Sequence, residues 1–386
     1  MKKSLVALAA LAVSGAAMAQ VTIAGIVDQA YYSVDQKSRD GLKSTKQTGI
    51  GEGSWAGSRL RFSGTEDLGG GMKANFWLEQ GIAVSDGAGF NYRNGGNGPQ
   101  FLSGTGMSTS GQNRQSWVGA TGGFGEVRLG RVYAASYDMY TNSGHINGEY
   151  TGTSQASFAL FNRTKAINYI SPVFAGGLKY YGTFGGRETE AESTESTEDQ
   201  ITGYKTRIER AMSHRLTYNA GAFRAGISTE MLTQQFTANA AVSAANVFGV
   251  TTAVPTVTNT ASIDSSNMVL LGGYNFGALD LGVLIGTKTQ NGSASSTTQS
   301  TTKLNQFNVK MPMGAAGEIR FTINKQTADA AGTATQDLSG TFMNYNHNLS
   351  KRTKLYASIG TQRDELGTDA LGKVENRSAL GLVHSF

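Results

Sequence analysis

Along this chain, apolar and polar residues alternate with a period of two, again and again, over stretches close to ten residues long. Leu279, Leu281, Val283 and Ile285 alternate with Asp280, Gly282, Leu284 and Gly286. Ile319, Phe321 and Ile323 alternate with Glu318, Arg320, Thr322 and Asn324, and Leu355, Ala357 and Ile359 with Lys354, Tyr356, Ser358 and Gly360. Phe223, Ala225, Ile227 and Met231 share a face opposite Arg224, Ser228 and Glu230. Such alternation marks strands with one apolar and one polar face. Strands of a soluble sandwich are usually about 5–6 residues long, whereas about ten residues suit a tilted strand that crosses a bilayer. Leu60 and Phe62 face away from Arg59, Arg61 and Ser63, and Met72, Ala74, Phe76 and Leu78 away from Lys73, Asn75, Trp77 and Glu79. An Arg on the lipid face at mid-membrane costs about 2–4 kcal/mol. The apolar set must therefore point outward and the charged set must line water, which makes Arg61, Lys73, Arg128, Arg224 and Arg320 lumen-lining candidates.

The segments between the strands come in two kinds. Short turns are expected at 68–71, 122–125, 172–177, 220–221, 275–278, 312–317 and 348–352, and long polar connections at about 34–57, 83–112, 135–162, 185–212, 233–264, 290–302, 326–336 and 363–373. Together they predict an all-β fold, a sixteen-stranded antiparallel transmembrane barrel with short turns at one end and long loops at the other. Composition agrees: Gly is 51 of 386 residues and Pro only 4, as suits tight turns joined by long paired strands. The acidic stretch Arg187 to Gln200 and the Ala/Thr-rich stretch Gln234 to Asp264 read as solvated loops.

Lys2 and Lys3, the apolar run Leu5 to Val13, and Ala17-Met18-Ala19 form the pattern of a secretory signal peptide. This divides the chain into residues 1–19, the signal peptide, and 20–386, a single barrel domain. The apolar run is too short for a bilayer helix, which needs about 20 residues. With no Cys, neither disulfides nor thiolate metal sites are expected. His145, His214, His347 and His384 are scattered, so no metal site is expected, and no cofactor or enzyme motif is present. A balance of 33 basic to 28 acidic residues is too weak to suggest nucleic acid.

Several stretches resemble the general trimeric porins of Gram-negative bacteria, in particular their β-proteobacterial branch. They are Thr22 to Asp28, Gly57 to Ala74 (GSRLRFSGTEDLGGGMKA), Asn113 to Gly119 (NRQSWVG) with Gly123 to Arg131 (GFGEVRLGR), Tyr169 to Gly176 (YISPVFAG), and Gly381 to Phe386 (GLVHSF). The resemblance implies a multi-pass outer-membrane channel for small hydrophilic solutes and inorganic ions, a homotrimer in contact with lipid and lipopolysaccharide, and a third long loop, 135–162, folded inward. It also implies a pore constriction in which Arg59, Arg114 and Arg163 face Asp138 and Glu149 on that loop, and a C-terminal assembly signal at Phe386. Because the loop holds only those two carboxylates, a net positive constriction with a mild anion preference is expected. Two other readings stay open: a substrate-selective channel, with Tyr137, Tyr140 and Tyr150 as possible binding groups, and a barrel that serves mainly as a surface adhesin or antigen. A soluble β-sandwich or solenoid lectin is the third rival.

Overall fold

The computed structural model describes residues 21–38, 41–53, 55–82, 84–85, 113–137, 139, 158–186, 188–197, 200–240, 246–247, 250–251, 257–291, 299–330, 333–366 and 372–386. The barrel strands are β1 (Thr22–Ser38), β2 (Ser44–Glu52 continued by Arg59–Gly69), β3 (Met72–Gly81), β4 (Asn113–Gly122), β5 (Gly125–Tyr133), β6 (Arg163–Ile170), β7 (Leu178–Gly185 continued by Glu188–Thr197) and β8 (Gln200–Ala220). They continue as β9 (Phe223–Ala240), β10 (Val257–Asn275), β11 (Asp280–Asn291), β12 (Ser300–Met313), β13 (Gly317–Ala330), β14 (Thr333–Asn348), β15 (Thr353–Asp364) and β16 (Lys373–Ser385). Each strand pairs antiparallel with the next, and β1 pairs with β16 over Ile26 to Ser38, which closes the ring. Closure leaves no sheet edge, a condition that lipid imposes because it cannot satisfy free backbone N–H and C=O groups. Among the described residues no helix is long and apolar enough to cross a membrane.

The seven short turns stand where the sequence places them, between β2–β3, β4–β5, β6–β7, β8–β9, β10–β11, β12–β13 and β14–β15. The first needs Gly69, Gly70 and Gly71, all at positive φ, between 61° and 79°, a region that other residues enter only with strain. The other end of the barrel differs from the expectation. The stretches 34–57, 185–212, 233–264 and 326–336 are largely strand, not loop, because the ladders continue through Gln36↔Thr45, Ser193↔Tyr204, Asn239↔Thr258 and Thr327↔Asp337. Beyond the bilayer neither face has to be apolar. The two-residue pattern therefore fades while backbone pairing goes on.

Alternation of burial sorts the two faces. On β11, Val283 and Ile285 are 42% and 49% exposed, while Leu284 between them is fully buried. The outward set around the ring includes Phe62, Leu78, Val118, Leu129, Ile167, Met268, Leu270, Ile323, Met343, Ile359 and Leu382. The inner face of β12–β15 carries a polar ladder: Thr322 Oγ1 donates to Asn308 Oδ1 at 2.7 Å, Gln306 Nε2 to the same oxygen at 2.8 Å, and Asn344 Nδ2 to Ser358 Oγ at 2.5 Å. At the seam, Phe386 and Gly25 exchange both backbone hydrogen bonds, and the Phe386 ring lies over Gly25, where a Cβ would overlap it. His347, half-buried, and His384, exposed, fall outside the lumen set near the short turns, beside Tyr345 and Thr353 respectively.

β2 is broken because Gly53–Ser58 leaves the ladder: Gln29 pairs with Glu52 and Ile26 with Arg59, so two residues of β1 oppose six. Asp28 holds this excursion. Its Oδ2 accepts from Trp55 N at 2.8 Å and Ala56 N at 2.7 Å, and its Oδ1 accepts from Tyr356 OH at 2.9 Å. The lumen-facing apolar group Ala30, Tyr32, Val34, Tyr356, Ala379 and Val383 is buried, with Trp55 packed against it. Replacing Asp28 by Ala strands one buried donor, the Tyr356 hydroxyl, and two half-buried ones, Trp55 N and Ala56 N, each costing up to about 1–3 kcal/mol when left unpaired. Urea unfolding of the Asp28→Ala protein in lipid vesicles is therefore expected to show a loss of several kcal/mol; an unchanged midpoint would contradict this role.

Candidate functional site

Three strand ends meet where the third connection leaves and rejoins the wall. Ala134 N donates to Asn162 O at 3.0 Å, which closes the neck of the 134–162 segment. Tyr133 at the end of β5 pairs with Arg163 at the start of β6. The Tyr133 hydroxyl accepts from Arg114 Nη2 at 2.8 Å and from Arg163 Nη2 at 3.0 Å, and the Arg163 guanidinium also sits 4.6 Å over the Tyr133 ring. Tyr137 stacks on Tyr133 at 4.2 Å with an interplanar angle of 11°. Burial pushes the Tyr137 phenol up to about 12, so it stays neutral.

Arg114 reaches this place through a β-bulge. Leu78 pairs with Ser116, but Gln80 pairs with Asn113, so Glu79 faces both Arg114 and Gln115. Strict alternation from lumen-facing Trp117 would send Arg114 outward; the extra residue turns it inward. There Arg114 Nε bonds the Glu79 carboxylate, with both side chains nearly buried. Arg59, on the inner face of β2, interacts electrostatically with Arg114, Glu79, Tyr133 and Tyr137. Arg59, Arg114 and Arg163 therefore form one cluster, three guanidiniums against one carboxylate among the described residues. Asp138 and Glu149, expected on the facing loop, lie outside the described residues.

The other basic candidates are placed one by one. Arg61 lies 4.3 Å over Trp77 and Arg128 lies 4.5 Å over Trp117, and the two indoles stack at 6.1 Å, so β2 to β5 carry an Arg–Trp–Trp–Arg stack on their inner face. Arg128 is also ion-paired with Glu126, Arg224 with Asp280 and Arg320 with Glu318. Lys73 sits exposed, one residue from the first short turn. Local pairing thus ties down three of the five. Two participants had a weaker sequence signal. Glu79 stood on the polar face of β3 without a visible partner, and Tyr133, the last strand residue before a long connection, was not singled out. Among the described residues no His/Cys/Asp/Glu group is arranged to hold a metal ion.

The sequence model of the Gram-negative porins matches residues 4–367. Outer membrane porin protein 32 of Delftia acidovorans is 31% identical over 96% of this chain and 93% of its own length. A major outer membrane protein P.IB of Neisseria gonorrhoeae is 29% identical over the full length of both chains. Among solved structures, an anion-selective porin from Comamonas acidovorans superposes with a TM-score of 0.66 at 24% identity, covering 96% of this chain and all of the other. OmpT of Vibrio cholerae in its trimer form gives 0.62 at 12% identity, over 95% and 99%. A closed sixteen-strand barrel, an inward cluster of arginines and a family match across nearly the whole chain lead to one conclusion: this chain belongs to the Gram-negative porin family and is a β-barrel channel protein of the outer membrane.

Proposed function

We propose that the chain forms a water-filled channel through which small hydrophilic solutes and inorganic ions diffuse passively, with a mild preference for anions. The observation that carries this reading is the convergence of Arg59, Arg114 and Arg163 about Tyr133, with Glu79 as the one carboxylate between them among the described residues. Bulk ions screen charges within about 8–10 Å at physiological salt, so lumen charges act only where the path is narrow. A cluster at the neck of the 134–162 segment is such a place if that segment lies across the lumen, and the proposal includes that inward course. Asp138 and Glu149 are assigned to the opposite side of the opening, which keeps the preference mild. The relative from Comamonas acidovorans is described as anion-selective, in line with this reading. The test is the reversal potential of single channels in a planar bilayer under a potassium chloride gradient. An anion-side potential is expected, and clear cation selectivity would overturn the proposal.

Assembly as a homotrimer belongs to the same proposal. Ile23, Tyr31, Leu380 and Leu382 are exposed apolar residues on the adjoining strands β1 and β16, and such a face takes either lipid or a second barrel. OmpT of Vibrio cholerae, similar in fold, is known in a trimer form. Mass measurement in detergent is expected to give three chains per particle. Lipopolysaccharide and outer-membrane lipid are the proposed surroundings of the remaining outer face, and residues 1–19 are proposed to be removed on export.

A further inference from the structure

The inner face of the barrel carries several buried apolar groups among its polar residues, and two of them are covered from the third connection. Val269, Leu284 and Leu304, on β10, β11 and β12, are fully buried. They are covered by Met139 and Phe158, which belong to the two limbs of the 134–162 segment, with Ala159 and Leu271 packed at the side. A neighbouring seat is made by Ile208, Ala211 and Leu232, against which Leu160 and Phe161 pack. The limbs leave and rejoin the wall between β5 and β6, yet they touch the wall from β8 to β12. Between the two seats stands a single carboxylate. Glu230 of β9 is almost completely buried. It accepts from the Ser136 hydroxyl on the outgoing limb and, at 2.8 Å, from Leu160 N on the returning limb. Asn267 of β10 donates to the same carboxylate and, at 3.1 Å, to Phe158 O, while Ser213 Oγ accepts from Ser136 N at 2.9 Å.

We propose that Glu230 is the positioning residue of the channel: one wall carboxylate locks both limbs of the 134–162 segment and so sets the opening beside the arginine cluster. The inference rests on the channel reading above. The physics favours a lock over a passive contact. A buried carboxylate keeps its charge only while donors surround it, and here the donors come from both limbs and from the wall. Losing one limb leaves the carboxylate underbonded, so the limbs release together or not at all. The apolar seats add non-directional adhesion. The carboxylate supplies the register, because one oxygen is matched to the Ser136 hydroxyl and the other to the Leu160 N–H and the Asn267 amide.

The test uses the full mature protein reconstituted in planar bilayers. Glu230→Gln keeps shape and volume but turns one acceptor oxygen into a donor that faces donors. A charge-assisted hydrogen bond is worth enough that its loss is expected to raise the frequency of voltage-driven closures roughly tenfold or more. Ser136→Ala removes one limb's bond and is expected to act in the same direction but less. In the double variant the effects are expected to fall short of their product, since both act on one lock. Ser136→Ala by itself carries the test if Glu230→Gln does not refold. Closure frequencies equal to wild type in the variants that fold, or fully multiplicative effects, would overturn the proposal. Absence of any ion current from the unaltered protein would instead overturn the channel reading, so the two failures are distinguishable.

Discussion

Replacing Arg59, Arg114 and Arg163 together by Gln is expected to turn the channel from anion-preferring to cation-preferring. A unit charge about 7 Å from a passing ion, in a water-like dielectric, is worth about 0.6 kcal/mol. Removing it weakens anion attraction and relieves cation repulsion alike, a combined change of about 1.2 kcal/mol, or roughly eightfold in the permeability ratio per arginine. Salt screening trims this at the ionic strengths used for recording. Three removals are therefore expected to shift the ratio by well over tenfold, enough to carry a mild preference through neutrality and leave Glu79 dominant at the cluster. Arg114→Gln also frees Glu79 from its ion pair, so it is expected to have the largest single effect. The reversal potential in a salt gradient reads both results. A triple variant that keeps the anion-side potential would show that selectivity is decided elsewhere in the lumen.

The second large effect concerns the outer face. Ile285, half-exposed on β11 with the outward residues Leu270 of β10 and Val283 beside it, is expected to meet hydrocarbon. Ile285→Arg is expected to cost about 2–4 kcal/mol, the depth-dependent price of a guanidinium in lipid. Ile285→Leu, nearly equal in volume, is expected to cost under about 1.5 kcal/mol. Reversible urea unfolding in phospholipid vesicles compares the two. Equal midpoints would mean that this face is solvated, or that it is covered by protein able to accept a charge.

How much of this was legible beforehand follows from what each feature depends on. Strand number, the seven short turns and the direction of each face rest on local rules: side-chain period, glycine conformations and the cost of charge in lipid. Val283 and Ile285 outward, and Arg59 and Arg61 inward, could be read from a few neighbours. The stretches 34–57 and 185–212 read as loops in the sequence but are largely strand, because pairing outside the bilayer needs no apolar face. Leu284 sat in the set assigned to water, and only its contact with Met139 and Phe158 explains it. The three basic residues were named by family resemblance; no local pattern brings them together.

The sequence by itself determined a closed antiparallel barrel, because period-two strands of this length with one apolar face have no other way to satisfy every backbone group in lipid. The tertiary structure alone decided the interior. A one-residue bulge opposite Glu79 turns Arg114 from lipid to lumen, Asp28 draws Gly53–Ser58 off its strand, and Glu230 on β9 gathers two limbs that leave and rejoin the ring at β5 and β6. Each of these depends on groups that are distant in sequence and meet only when the ring closes. Local alternation carries no record of them.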